Sequence, residues 1–209
     1  PGALFNAAAI YEKDDQVKKA VKYYEQLITK YPKHDLAPEA IFVMGAIFEA
    51  RTDFSQAASY FERLGDNKDW RDNYDKSQDA IYNSAAIREA LEEWSQAIKT
   101  YERFIKLYPK HDLVPELSLH IAELYERAKN KKSAQKSYAS FVKNKKFKSR
   151  KDMHVKAYLA LGLMAEKGTG KRAAKDADKY FNQCLATWAS IEDEAKKKAE
   201  TDAARKNAK

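Results

Sequence analysis

A six-residue sequence, Tyr-Pro-Lys-His-Asp-Leu, occurs twice in this chain, at residues 31–36 and again at residues 108–113, 77 residues further along. The flanking residues correspond at the same distance, because the segment 4–10 aligns with the segment 81–87. A repeat at this distance indicates a duplicated unit. It therefore predicts an architecture in which copies of one supersecondary element stack on each other.

Each duplicated unit contains two smaller units of about 34 to 40 residues, the length of a helical hairpin. The first has a small residue at Ala8, aromatic residues at Tyr11 and Tyr24, and then Ala20 and Pro32 at fixed spacings. The later copies carry Gly45, Phe48, Ala57 and Phe61, then Ala85, Ala97, Tyr101 and Pro109, then Ala122, Tyr125, Ala134 and Tyr138. This pattern resembles the tetratricopeptide repeat, or TPR.

The resemblance implies an all-α fold, a right-handed α-solenoid of about five TPR-like hairpins and about ten helices. Only six Gly and five Pro in 209 residues agree with long helices. Gly162 takes the small-residue position of a degenerate fifth hairpin, which carries an insertion at 168–170. We predict one domain, 1–209, with repeats at about 2–34, 35–76, 77–111, 112–150 and 151–190, and a charged capping helix at 191–209 that frays toward Lys209.

Two features depart from the repeat. Arg88 stands where the first unit has Tyr11, which predicts looser packing between the two helices of that hairpin. Residues 65–74 are polar, contain two aromatic residues and fit no repeat position. We expect this segment to fold back on the solenoid.

The sequence gives little support for catalysis, metal binding or nucleotide binding. The four histidines lack the spacing of a metal site. The sequence Gly168-Thr169-Gly170-Lys171 joins two helices instead of following a buried strand, so it is not a phosphate-binding loop. No apolar run approaches the roughly 18 residues that span a bilayer. We predict no enzymatic activity, no catalytic residue, no metal and no cofactor.

The resemblance implies where a partner binds, because the first helix of each TPR hairpin lines a concave groove. The fifth position of that helix carries Phe5, Phe42, Tyr82, Leu119 and Leu159, an apolar ladder. Other groove positions carry Asn6, Glu39, Glu49, Asp79, Asn83, Glu89, Glu116 and Glu123. We predict a non-catalytic scaffold that binds a basic and apolar peptide segment, or a partner subunit, in an acidic and aromatic groove. The equal alternative is that the aromatic residues pack on neighbouring repeats and the acids are only solvated.

One kind of partner does not fit. Chaperone-binding TPR proteins hold a C-terminal carboxylate with Lys, Asn and Arg at groove positions. Here Phe5, Ala9 and Asp79 occupy positions where those side chains are needed. We therefore do not expect a carboxylate-ended partner.

Two other functions stay open. The chain is a structural subunit if it uses its convex face and the loop 65–74, with Trp70 and Tyr74. It binds a polyanion or glycan if it uses the basic run 143–151. That run contains Lys145, Lys146, Lys148 and Arg150, and the formal net charge of the chain is +8. Because the run lies between hairpins, where solvated charge is ordinary, we do not expect nucleic acid as the partner.

A longer phrase, Tyr-x2-Phe/Leu-Ile-x2-Tyr-Pro-x5-Pro-Glu, occurs in residues 24–40 and 101–117. It resembles bacterial cell-envelope TPR proteins, a group that includes the outer-membrane assembly lipoprotein and the periplasmic coordinator of the Tol-Pal system. This resemblance implies the periplasm or cell envelope of a bacterium. The lysine excess is not part of that pattern, and a cytoplasmic location is the alternative.

Overall fold

Helices account for most of the chain. The computed structural model describes the backbone of residues 1–207 and the side chains of residues 1–200. Within that part it contains eleven α-helices, one short 3-10 helix and no strand, so the predicted all-α repeat fold is confirmed. The predicted fraying at residues 208 and 209 lies outside the described residues. None of the described helices combines the length and the apolar character needed to cross a membrane.

The chain divides into two units, Pro1–Lys110 and His111–Lys209. The helices of the first unit are α1 (Gly2–Lys13), α2 (Val17–Lys30), α3 (Leu36–Ala50), α4 (Phe54–Arg63), α5 (Lys68–Asn73), α6 (Ser77–Ala90) and α7 (Trp94–Leu107). In this unit α1 packs on α2, α3 on α4 and α6 on α7, and successive hairpins meet where α2 packs on α3 and α4 on α6.

The second unit contains α8 (Val114–Arg127), α9 (Lys131–Lys143), the 3-10 helix (Lys145–Phe147), α10 (Lys151–Glu166) and α11 (Lys171–Asn207). Here α8 packs on α9, α9 on α10 and α10 on α11. Each unit is therefore a stack of helical hairpins of the TPR type.

The second helix of each hairpin shows why these segments become helical. In α2, the buried residues Ala20, Tyr24, Leu27 and Ile28 recur at steps of three and four, so they form one apolar stripe. The charged residues of α2 occupy the opposite face. Packing of this stripe against α1 and α3 supplies most of the stability that short helices lack on their own.

The turns inside the hairpins share one backbone geometry. Asp15, Thr52, Glu92 and Lys129 all adopt a left-handed conformation, with φ between 57° and 60°. The following residue donates its N–H to a carbonyl five residues earlier, as from Gln16 to Tyr11 at 2.8 Å. This arrangement satisfies carbonyl groups at the helix end that would otherwise have no partner.

The duplicated six-residue sequence forms the joint after a hairpin. In the first unit the N–H of Leu36 donates to Nδ1 of His34 at 3.1 Å, and in the second unit Leu113 donates to His111 at 3.2 Å. The imidazole nitrogen therefore accepts a backbone N–H at the start of the next helix. Both histidines have this structural role, and it explains why the residue recurs at this point.

A close contact between helices involves Gly45 of α3 and Phe61 of α4. A Cβ atom built on Gly45 would lie 2.4 Å from Cε1 of the Phe61 ring, well inside van der Waals contact. Gly162 of α10 meets Phe181 of α11 in the same way, at 2.5 Å. The small-residue position of these two hairpins is therefore a close helix contact, because a side chain at either glycine would overlap a buried or half-buried ring.

Arg88 does not leave a loose contact. Its side chain is largely buried, with 8% of the residue exposed, and its Nε donates to Glu62 of α4 at 3.1 Å. It also donates to Glu93 at 2.7 Å and to Ser59 at 2.9 Å, and Thr100 donates to Glu62 at 3.2 Å. In the first hairpin the corresponding positions hold stacked tyrosine rings. An ion-pair network thus replaces an aromatic stack.

We predict that Gly45→Ala destabilises the chain by about 1–3 kcal/mol, because the added methyl group forces the Phe61 ring or the helix backbone to move. Chemical denaturation followed by circular dichroism measures this loss. Gly2→Ala is the control, since no atom lies within 4 Å of a Cβ built there. Equal stability of the two variants would contradict the close contact.

Candidate functional site

The fifth-position rings of the first unit lie against the core of their own hairpins. Phe5 packs edge-on against Tyr24 with ring centroids 5.3 Å apart, and Tyr82 packs against Tyr101 at 6.0 Å. Phe42 contacts Phe61 at 5.6 Å. All three predicted rings are half-buried. They therefore contribute to the fold and still present an edge at the surface.

In the second unit most of the predicted groove residues are buried or bonded to other residues of the chain. Leu119 is only 5% exposed and offers almost no surface to a partner. Glu116 forms an ion pair with Arg150. Glu123 accepts a hydrogen bond from His120 at 3.3 Å, and this bond holds the pKa of Glu123 below its usual range. These contacts leave little of this surface available for a peptide.

Carboxylates near the C-terminal end of the first helix accept hydrogen bonds from tyrosine hydroxyls in three hairpins. Tyr138 donates to Glu126 at 2.7 Å, and Tyr101 donates to Glu89 at 3.4 Å. Burial raises the pKa of Tyr138, and the bond to Glu126 raises it further, because ionisation would place two negative charges together. Tyr24 donates to Glu12 in the same way, at 3.1 Å. These acids are part of the hairpin structure.

Glu49 differs from these three acids because its hairpin has Phe61 at the position that holds Tyr24, Tyr101 and Tyr138 in theirs. Phenylalanine has no hydroxyl group, and the close approach to Gly45 places its ring directly against α3. Glu49 is exposed at the end of α3. A carboxylate left without this tyrosine bond remains available to an outside cation.

The insertion between the second and third hairpins folds back, as predicted. It contains α5, and Nε1 of Trp70 donates to the carbonyl of Pro32 at 2.6 Å. The hydroxyl of Tyr74 donates to Glu39 at 2.7 Å, and the Tyr74 ring lies 6.2 Å from Phe42. Two surfaces predicted as alternatives, the groove and the insertion, therefore contact each other.

Lys76 completes this contact. Its Nζ lies 4.7 Å from the centroid of the Phe42 ring and 3.7 Å from Oε1 of Glu39. The ammonium group is therefore attracted both by the aromatic face and by the carboxylate. Tyr74 of the insertion and Lys76, which directly precedes α6, thus cover one aromatic residue and one acid of the predicted groove.

An open groove is lined by residues of α3, α4 and α6 and by Leu91, which follows α6. It has a volume of about 570 Å³ and is bounded by Glu49, Phe54, Asn83, Ala86, Ile87, Ala90 and Leu91. Phe54 and Leu91 are each 39% exposed, although both are large and apolar. We call this the α3–α6 groove.

The sequence predicted two residues of the α3–α6 groove, Glu49 and Asn83. It missed Phe54, Ile87 and Leu91, because these lie outside the positions that the TPR resemblance assigns to ligand contact. Phe54 begins α4, directly after the hairpin turn, and is not among the buried residues of that helix. The other predicted residues, Asn6 and Asp79, are exposed on α1 and α6.

The residues of the basic run 143–151 lie in different environments in the second unit. Arg150 turns to Glu116, and Lys146 is exposed. Lys145 and Lys148 line a concave pocket of about 450 Å³ together with Lys143 and Lys151. We call this the lysine pocket.

Among residues 1–200, whose side chains are described, no group of three or more His, Cys, Asp or Glu residues is arranged to hold a metal ion.

The tetratricopeptide repeat family model matches three segments, residues 2–34, 79–111 and 116–144. These three segments are therefore similar to the tetratricopeptide repeat. No curated protein matches it significantly.

Several solved structures are similar in fold. MamA residues 41 to the end from Desulfovibrio magneticus RS-1 is 17% identical, with a TM-score of 0.44, and the match covers 90% of this chain and 95% of that one. A putative kinesin light chain from Podosopora anserina is 15% identical, with a TM-score of 0.46 and coverage of 90% and 95%. The C-terminal part of a TPR repeat-containing protein from Cytophaga hutchinsonii is 15% identical, with a TM-score of 0.48 and coverage of 88% and 67%.

We predict that Tyr74→Phe loosens the insertion, because it removes the hydrogen bond to Glu39. The loss is about 1 kcal/mol of local stability, since a hydrogen bond to a charged group is worth at least that much. Amide hydrogen exchange within α5 should accelerate, while exchange in α2 and α7 stays unchanged. Tyr31→Phe, at an exposed tyrosine, is the control. Identical exchange in both variants would show that Tyr74 does not hold the insertion.

Proposed function

We propose that this chain is a protein-interaction scaffold whose α3–α6 groove binds a peptide segment that carries Lys or Arg together with apolar residues. TPR repeats mediate protein–protein interaction in general. The groove supplies the two chemistries such a segment needs, an exposed carboxylate at Glu49 and an apolar floor that includes Phe54 and Leu91. The partner is a segment of another protein or a subunit of a larger complex.

The observation that carries this proposal is the contact made by the insertion. Along the same helix α3, the chain places Lys76 against Glu39 and Phe42, with Tyr74 beside them. An acidic and aromatic part of this surface therefore already accepts a basic and aromatic segment. The α3–α6 groove offers the same combination without an occupant from the described part of the chain.

The apolar residues and the charged residue of the groove contribute to binding in different ways. Rigid aromatic and aliphatic side chains supply apolar area at a low cost in entropy, so Phe54 and Leu91 should contribute most of the binding free energy. Glu49 acts mainly on recognition and on the association rate, because a charge at the rim steers the encounter and is screened by salt.

We predict that Phe54→Ala weakens peptide binding by about tenfold or more, because it removes an anchor of the apolar floor. The measurement is fluorescence anisotropy with synthetic peptides in which basic and apolar residues are varied independently. Tyr31→Ala is the matched control, since it deletes another exposed aromatic side chain of the same unit. Equal affinity of the two variants would exclude the α3–α6 groove.

We also predict that Glu49→Lys slows association with basic peptides and removes most of its salt dependence. Asp14→Lys makes the same change of charge in an exposed turn of the same unit, so it controls for net charge. Stopped-flow kinetics at low and high salt measure both effects. If the two variants slow association equally, the attraction comes from the whole unit and not from the groove.

We further propose that the protein works in the periplasm or cell envelope of a bacterium, as part of an envelope complex. The support is the Tyr-Pro phrase that occurs in residues 24–40 and 101–117. Fractionation of the source cells, with detection of the native protein, tests this location. Recovery with the cytoplasmic fraction alone would overturn it.

A further inference from the structure

We infer that the lysine pocket binds a small anion that carries clustered phosphate groups. This site is separate from the α3–α6 groove and lies entirely in the second unit. Its walls come from the end of α9, the 3-10 helix, the start of α10 and the middle of α11. Four lysines, Lys143, Lys145, Lys148 and Lys151, border a volume of about 450 Å³.

Most of the lysines of this pocket have no carboxylate partner among the described side chains. Lys151 is the only one of the four with an ion-pair partner among the described side chains: its Nζ lies 2.6 Å from Glu194 and donates to Ser190 at 2.7 Å. Lys143, Lys145 and Lys148 have no carboxylate within 4.0 Å in that part of the chain. Like charges that line a concavity reinforce each other and attract the opposite sign.

The segment that carries these lysines is anchored. The side chain of Asn144 accepts a hydrogen bond from the N–H of Lys146 at 3.1 Å, which caps the 3-10 helix. Phe147 is buried, and its ring lies 5.1 Å from that of Phe141. The backbone that carries Lys145 and Lys148 is therefore held in place before a ligand arrives, which lowers the entropic cost of binding.

The floor of the pocket is also ordered. His154 is 8% exposed, its Nδ1 lies 3.0 Å from the carbonyl of Arg150, and its ring lies 5.3 Å from that of Phe141. Tyr158 and Ser190 also line the pocket. The pocket therefore combines ammonium groups with hydroxyl groups, and both can donate hydrogen bonds to phosphate oxygens.

The shape favours a small anion over a polymer. Nucleic acid binding uses an open stripe of cations along a surface, whereas here α9, α10 and α11 border the cationic site. Arg150, next to Lys151 in the chain, turns away to Glu116. Lysine is a compact point charge that suits phosphate. A soluble oligophosphate and a phosphate-bearing lipid headgroup share this chemistry.

The test uses the full chain and inorganic tripolyphosphate as the probe in isothermal titration calorimetry. We expect saturable binding that weakens with added salt, and a higher melting temperature of the protein at saturating probe. The double variant Lys145→Gln/Lys148→Gln should lose affinity by about tenfold or more, because it removes two charge-assisted contacts. The control is Lys131→Gln/Lys132→Gln, which removes the same charge from the exposed start of α9.

Each outcome decides the inference. Loss of affinity in the pocket variant alone supports it, and equal loss in both variants overturns it, because attraction would then follow net charge. Absence of tripolyphosphate binding also overturns it, as does binding of heparin or duplex DNA that tripolyphosphate does not displace. Vesicles with and without phosphatidic acid identify the source: if tripolyphosphate displaces the protein from acidic vesicles, the ligand is a headgroup, and if the protein binds neither vesicle, the ligand is soluble.

Discussion

The close approach of the two helices within each hairpin governs the rest of this structure. At that contact a small residue of the first helix meets a ring of the second, and the pair is either Ala with Tyr or Gly with Phe. Ala8 and Tyr24, both buried, are the residues of the first kind in the first hairpin, and Gly45 and Phe61 form the second kind. With tyrosine, the hydroxyl reaches the carboxylate at the end of the first helix. With phenylalanine that carboxylate has no tyrosine bond, so one choice in the core decides whether the acid at the end of the first helix has this partner.

The chain's surface chemistry follows from this choice. Glu12, Glu89 and Glu126 are hydrogen-bond acceptors for tyrosine, whereas Glu49 borders an open groove. A count of acidic residues along the first helices therefore overstates the number of carboxylates that a ligand can reach. The insertion adds to this effect, because it covers Glu39 and Phe42 with groups of the same chain.

Local spacing was enough to predict the hairpins, because the burial of Ala20, Tyr24 and Leu27 depends on helical period alone. The fold-back of residues 65–74 was also predictable, since a polar segment with two aromatic residues needs a surface to cover. The exposure of Phe54 and Leu91 was not predictable, because it depends on how far two neighbouring hairpins separate. The network of Arg88 was missed for the same reason: its partner Glu62 belongs to another hairpin.

The left-handed turns have a consequence for how this chain can change. Asp15, Thr52, Glu92 and Lys129 are four chemically unrelated residues that share one backbone conformation, although left-handed geometry costs most residues roughly 1–2 kcal/mol. The turn is thus enforced by the helices that flank it and tolerates almost any side chain. Sequence divergence after duplication could proceed at these points without loss of the fold, and glycine or asparagine at any of the four positions would raise the melting temperature.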